Sequence, residues 1–316
     1  MRLMPGTGSN QGTVGSCIHQ HGVIGGYYID RANAIHGFVR DASGTITEFD
    51  PPGITDAFVQ SINRLGQITG VGTANHGTTQ EFVRQVNGHF VHVMVAGSQF
   101  TQPWRINDNG VITGVYGDSA GVLDGFAFTA GVYATIDNPD ATESIAEGTR
   151  ALAINIGGAS PGYYDNRRTG TVRAFVRDGA GNFTNFDAVP PGSLAVFPAA
   201  INEEGQIAGS YYNADSVSLS FIRDPSGTVP DFDVTGATGT RAVDINDTGI
   251  FVGQWTNGGF TTQGFRWIQT GAAISFSAPV PNRGTFPFAI NNSDAITGYY
   301  FDLSGVSRGF VRWQRP

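Results

Sequence analysis

Apolar residues alternate with glycine or polar residues in short runs along the whole chain, and clusters of Gly, Asp, Asn and Pro separate one run from the next. A period of two is the spacing of a β-strand with one face buried. Four such runs make the first complete unit: TVGSCIH from Thr13, VIGGYYID from Val23, HGFVRD from His36 and TITEFD from Thr45. A tight turn joins the first pair and the Gly-containing turn DASG joins the last, as in antiparallel hairpins. The segment DPPGITD then carries two prolines, which have no place in a central strand and mark a crossover to the next sheet.

The unit repeats. FPFAINNSDAITGYY, Phe286 to Tyr300, has six further versions: SCIHQHGVIGGYY from Ser16, VQSINRLGQITGVG from Val59, WRINDNGVITGVY from Trp104, ALAINIGGASPGYY from Ala151, AAINEEGQIAGSYY from Ala199 and VDINDTGIFVGQW from Val243. Seven copies in 316 residues give a unit of about 45, and four-strand meanders repeated at that length predict a β-propeller. The expected fold is therefore all-β, a seven-bladed β-propeller of four-stranded antiparallel blades forming a single domain over residues 1–316. Its blades are expected at about 13–50, 56–96, 101–137, 149–188, 195–233, 239–277 and 284–314. The last unit stops at Pro316 without a fourth strand, whereas MRLMPGTGSN at the N-terminus lies over TEFDPPGITD. Residues 1–5, around Arg2 to Met4, are expected to complete the last blade and so remove an open sheet edge.

Within each unit an Ile precedes the turn (Ile18, Ile62, Ile106, Ile154, Ile201, Ile245, Ile290) and is expected to wedge between blades. The third strands carry Phe38, Phe82, Phe126, Phe175, Phe221, Phe265 and Phe310, a row read as core. The Asn after the Ile suits a turn that needs side-chain hydrogen bonding or a positive φ; His19 replaces it once.

Composition narrows the function. A formal net charge of -8 and a pI near 5.1 argue against a nucleic-acid or anionic-membrane partner. All 18 basic residues are Arg, which excludes Schiff-base lysine chemistry and a GxxxxGK[ST] phosphate loop. The single Cys17 cannot form an internal disulfide and is read as a small buried residue. No run reaches the roughly 18 apolar residues of a membrane span, so no membrane insertion is expected. MRLMPGTGSN lacks the apolar segment of a secretory leader, which leaves a cytosolic protein or a trimmed leader.

The pattern IN-x-x-G-x-I-x-G-Y-Y followed by an H/D/R-G/A-F-V-R strand resembles the bacterial HAF-type extracellular repeat, and it does so over nearly the whole chain. His36-Gly37-Phe38 comes nearest to the triplet that names the family, while Arg173-Ala174-Phe175 and Asp124-Gly125-Phe126 depart at the first position. The resemblance implies a propeller and export to the periplasm or exterior. It transfers no catalytic residue.

Propellers bind ligands where loops converge at one end of the axis, and the long second-to-third-strand loops place that end opposite the uniform turns. Five residues before the turn Asn, a ring of Val14, Phe58, Gln102, Arg150, Phe197, Arg241 and Phe286 is expected at this mouth. Arginine can bind a carboxylate or phosphate bidentately and an aromatic rim can stack on a sugar. The alternative is packing for Phe and pairing with acids such as Glu143 or Glu147 for Arg. Arg105 and Asp244 stand two before the Asn, where other units have small residues, and separate hydrogen bonds to neighbouring strands are favoured over a direct ion pair. His36 and His76 lie toward the variable face, and His36 is the weak acid/base candidate there. Asp30, Asp118, Asp165 and Asp302 sit one per blade, and His19/His21 or His89/His92 are poorly disposed, so no metal and no cofactor is expected.

The expectation that follows is a monomeric, secreted or periplasmic recognition module for an anionic or glycan-like ligand. Two alternatives are a polysaccharide lyase or hydrolase using the same face and a protein-interaction scaffold.

Overall fold

The computed structural model describes residues 2–3, 12–74, 77–187, 193–229, 232, 234–259, 261–268, 271–279 and 282–313; His76, Met4 and Met1 lie outside them. Every regular element among the described residues is a β-strand. β1 (Arg2–Leu3) precedes the first blade, β2 (Gly12–Ile18), β3 (Ile24–Ile29), β4 (Ile35–Arg40) and β5 (Ile46–Phe49). The second blade is β6 (Ile54–Ile62), β7 (Ile68–Ala74), β8 (Thr79–Arg84) and β9 (Phe90–Val91), and the third is β10 (Phe100–Ile106), β11 (Ile112–Gly117), β12 (Leu123–Thr129) and β13 (Val132–Ile136). The fourth comprises β14 (Thr149–Ala151), β15 (Ser160–Asp165), β16 (Val172–Arg177) and β17 (Phe183–Phe186). In the fifth, β18 (Ala195–Ile201), β19 (Ile207–Tyr212) and β20 (Ser218–Arg223) lead into a segment partly outside the described residues. β21 (Gly239–Ile245), β22 (Ile250–Thr256), β23 (Gln263–Ile268) and β24 (Ile274–Phe276) form the sixth, and β25 (Asn282–Ile290), β26 (Ile296–Asp302) and β27 (Ser307–Arg312) the last.

Each group is an antiparallel meander. The ring closes where expected: β1 pairs antiparallel with β27, Arg2 opposite Val311 and Leu3 opposite Phe310, so the N-terminal segment supplies the missing outer strand. At the inner side the last blade meets the first through a parallel bridge between Gly12 and Ser307.

Glycine and phenylalanine fix the spacing within a blade. The third-strand Phe rings are essentially solvent-free. Each lies under the second-strand Gly opposite it, and a methyl group added at Gly26, Gly162 or Gly253 would collide with that ring and with a first-strand carbonyl. Between blades, Arg84 lies over the Phe49 ring of the blade before it, Arg223 over Phe186 and Arg312 over Phe276, at 4.8–5.2 Å from the centroids.

The turn asparagines do more than shape turns. Oδ1 of Asn107, Asn155, Asn202, Asn246 and Asn291 accepts from backbone N–H groups of its own turn. Nδ2 meanwhile donates to a turn carbonyl of the following blade: Asn63 to Asn107, Asn107 to Asn155, Asn155 to Asn202, Asn202 to Asn246, Asn246 to Asn291, and Asn291 to His19 across the closure, all at 2.9–3.2 Å. None of these asparagines has a positive φ. Side-chain hydrogen bonding, not backbone conformation, explains their recurrence.

Candidate functional site

The innermost strand of each blade determines what faces the axis. It has a full ladder on one side only, which lets Pro103, Pro198 and Pro287 stand in it. Directly after that position the register slips, between Gly15 and Cys17, Val59 and Ser61, Pro103 and Arg105, Pro198 and Ala200, Ala242 and Asp244, and Pro287 and Ala289. A β-bulge of this kind lets two consecutive residues face the same side. In consequence two rings line the axis: Cys17, Ser61, Arg105, Ala153, Ala200, Asp244 and Ala289 below, and Ser16, Gln60, Trp104, Leu152, Ala199, Val243 and Phe288 above.

These rings divide the axial space into two cavities. The one at the tight-turn end, about 410 Å³, is bordered by the lower ring and by Arg64, Asp108, Glu203 and Asp247. The larger, about 890 Å³, opens at the end of the variable loops and holds the upper ring with Tyr27, Phe58, Tyr163, Phe197, Tyr212, Arg241 and Gln254. Arg105 borders both.

Aromatic rings wall the larger cavity in two corners. Tyr27 of the first blade packs edge-to-face on Phe58 of the second, and Tyr163 of the fourth on Phe197 of the fifth, each with centroids 5.1 Å apart. Arg241 is exposed, Arg105 half-buried, and neither has a hydrogen bond or ion pair among the described residues. Below them, Asp244 accepts from the backbone N–H of Ile290 in the next blade at 2.8 Å. Desolvation pushes its pKa up to about 6 against the pull of the Arg105 guanidinium. Arg105 and Asp244 thus face one channel without forming an ion pair, and the hydrogen bond to a neighbouring strand is realised for Asp244 alone. Burial pushes the Cys17 thiol up to about 12, so it stays protonated.

The structure redistributes the expected mouth ring. Phe58, Phe197 and Arg241 border the cavity, whereas Gln102, Arg150 and Phe286 do not. Arg150 is corrected from ligand contact to support: Nη1 donates to Asp165 Oδ2 at 2.8 Å, Nη2 donates to the Ala146 carbonyl at 2.9 Å, and the guanidinium lies 5.0 Å from the Tyr163 centroid. Its partner is Asp165, not Glu143 or Glu147. Phe286 stacks on Tyr299 of its own blade, 4.8 Å between centroids and 11° between planes. His36 is corrected too, because it borders neither cavity. Its Nδ1 is 2.7 Å from Asp50 Oδ1, its Nε2 is 3.5 Å from Asp30 Oδ2, and its ring stacks on Tyr28. Desolvation lowers its pKa, but the bonds and charges of Asp50 and Asp30 outweigh it and leave the pKa raised.

The upper ring escaped the sequence reading because strict alternation cannot place residues 16 and 17 on one side. The signal was there in Pro103-Trp104, Pro198-Ala199 and Pro287-Phe288, where a proline marks a break in the ladder. Among the described residues no group of three His, Cys, Asp or Glu side chains is disposed to hold a metal ion.

The architecture is a β-propeller, and solved structures share it. A streptogramin B lyase matches with a TM-score of 0.59 at 14% identity, covering 99% of this chain and 97% of the other. The BP39L lectin from Burkholderia pseudomallei matches with a TM-score of 0.57 at 11% identity, covering 96% of each chain. The β-propeller domain of the Trilobed protease from Pyrococcus furiosus, described as having an open velcro topology, gives 0.65 at 8% identity, with 97% and 96% coverage. At such identities the likeness is one of fold. No protein-family model matches the chain, and no curated sequence matches it.

Proposed function

We propose that this chain is a ligand-recognition propeller acting outside the cytoplasm, and that its axial mouth binds an anionic or glycan-like ligand. The observation that carries the reading is two arginines without hydrogen bonds or ion pairs among the described residues, in one cavity walled by aromatic rings. Guanidinium groups without internal acceptors are matched by an external carboxylate or phosphate, and aromatic walls by an apolar ring face. The HAF-type resemblance supports the extracytoplasmic setting. No helix is long and apolar enough to cross a membrane.

A lectin and a lyase among the structural neighbours show that this architecture carries both binding and chemistry in other proteins. An enzymatic reading draws on Asp244 at the lower side of the neck, where Arg105 borders both cavities and burial raises the carboxyl pKa to about 6.

A thermal-shift screen tests the proposal with uronate and neutral oligosaccharides, phosphates and divalent cations against wild type and Arg105→Ala/Arg241→Ala, since a ligand that binds the native state raises Tm. A shift present in wild type and lost in the folded double variant supports the mouth. Equal shifts in both proteins move the ligand elsewhere, and no shift with any anion or sugar overturns the reading. Product formation from a shifting ligand would select the enzyme.

A further inference from the structure

We infer that the acid group of the ligand is read at the axial neck by Arg105, not at the rim by Arg241, and that the ligand is a sugar-sized hydroxy acid entering acid end first. The inference rests on the mouth being the binding site and adds where the charge goes and what class of molecule carries it.

Three features of the neck point this way. First, Arg105 is half-buried with cavity on both sides, and four of the other six residues in its ring are Ser61, Ala153, Ala200 and Ala289, too short to fill the axis. A recessed charge is screened less by water and salt than one at the rim, so the same guanidinium–carboxylate pair is stronger at Arg105 than at exposed Arg241. Arg241 is placed to steer an anion inward.

Second, the ring above supplies polar atoms without partners. Ser16 Oγ and Gln60 Oε1 are both buried and have no hydrogen bond, and both residues border the mouth. A buried amide oxygen needs a donor, which an ionised carboxylate cannot supply. A hydroxyl on the carbon skeleton beside the acid can. Trp104 and Phe288 of the same ring offer apolar surface to that skeleton.

Third, Asp244 is the internal anion that competes for Arg105. It is fixed by the Ile290 N–H and cannot follow the guanidinium upward. Other charged or titratable groups near it are Cys17 and Asp247, with His21, Arg64, Asp108 and Glu203 around the lower cavity. Protonating Asp244 removes the competitor while a sugar acid, with a pKa in the ordinary α-carboxyl range, remains ionised. Binding is therefore expected to tighten as pH falls through about 6 and to take up a proton.

Calorimetric titration of glucuronate and of neutral glucose into wild type, Arg105→Gln, Arg105→Lys, Arg241→Gln and Asp244→Asn tests this. Glucuronate is expected to bind wild type roughly three- to tenfold more tightly at about pH 5 than at about pH 7.5. Arg105→Gln should lose about a hundredfold or more and Arg105→Lys regain part of it, while Arg241→Gln loses less than about tenfold, mostly in association rate. Asp244→Asn should bind tightly with a flat pH profile. If Arg241→Gln abolishes binding and the Arg105 variants retain it, the acid sits at the rim and the inference fails while the mouth reading stands. Equal binding of glucose and glucuronate also overturns it. If neither sugar binds, and the wider anion screen is silent, both readings fall together. Should Arg105→Gln not fold, Arg105→Lys and the pH profile of Asp244→Asn still decide between neck and rim.

Discussion

Asn202 serves two blades with one amide. Its Oδ1 accepts from the Gln206 N–H at 2.8 Å within its turn, and its Nδ2 donates to the Asn246 carbonyl at 3.0 Å and to Gln206 Oε1 at 2.8 Å. Replacing it with Ala removes these bonds and leaves a buried carbonyl without this donor, so Asn202→Ala is expected to cost about 2 to 4 kcal/mol, read as a lower urea midpoint with an unchanged m-value. The sequence showed the need for a side-chain hydrogen bond in this turn, since the IN-x-x-G spacing is local. It could not show the bond to the next blade, because the distance that makes it belongs to the ring and not to the repeat. The same holds for Arg150: its chemistry suggested an anion site, and only the fold brings Asp165 within 2.8 Å.

Among the elements, the first strands and the crossovers carry the site. Hydrophobic periodicity located the strands, and Pro51-Pro52 located a crossover, because both effects are set by neighbours in sequence. The bulge shifts phase by one residue within a strand, and alternation alone is blind to it. That is why Trp104 and Gln60 were missed while Phe58 was found. The crossover over 137–148 depends on Arg150, whose Nη2 holds the Ala146 carbonyl while Asp165 Oδ2 accepts from the Gly148 N–H at 3.0 Å. Arg150→Gln should free this segment: amide exchange at 144–148 rises about tenfold or more, as expected for about 1.4 kcal/mol of lost local stability, measured by hydrogen exchange. Glucuronate affinity is expected to fall less than in Arg105→Gln, because Arg150 supports Tyr163 from outside the cavity.

Across the whole molecule, propeller geometry explains why the fold was legible and the mouth only partly so. Fold information is written seven times in the sequence, whereas the site consists of departures from the repeat: Arg105, Asp244 and Trp104, each written once, and Arg241, whose position carries Arg in one other unit. Their proximity depends on closing a ring of separate sheets, which no local pattern encodes. The belt of asparagine bonds helps close it, running from Asn63 round to the bond between Asn291 and the His19 carbonyl.

That belt has one gap. His19 stands where an asparagine would reach the Asn63 carbonyl, and its Nδ1 instead accepts from the His21 N–H at 2.9 Å. Without that amide bond, the joint between the first two blades keeps the parallel bridge of Ile35 and Asp56 and Arg84 over Phe49, and otherwise relies on apolar contacts, with Cys17, Val59, Ile62, Phe49 and Phe82 in one cluster and the edge-to-face pair of Tyr27 and Phe58. Apolar attraction weakens on cooling. The ring should therefore have a cold seam: near about 0 °C, amides of β2 and β6 exchange faster relative to those of β18 and β21 than they do at about 25 °C. Uniform slowing of exchange around the ring would show that the joints respond alike. A seam of this kind would let the propeller loosen at a fixed place in the cold while the pairing of β1 with β27, one blade away, stays latched.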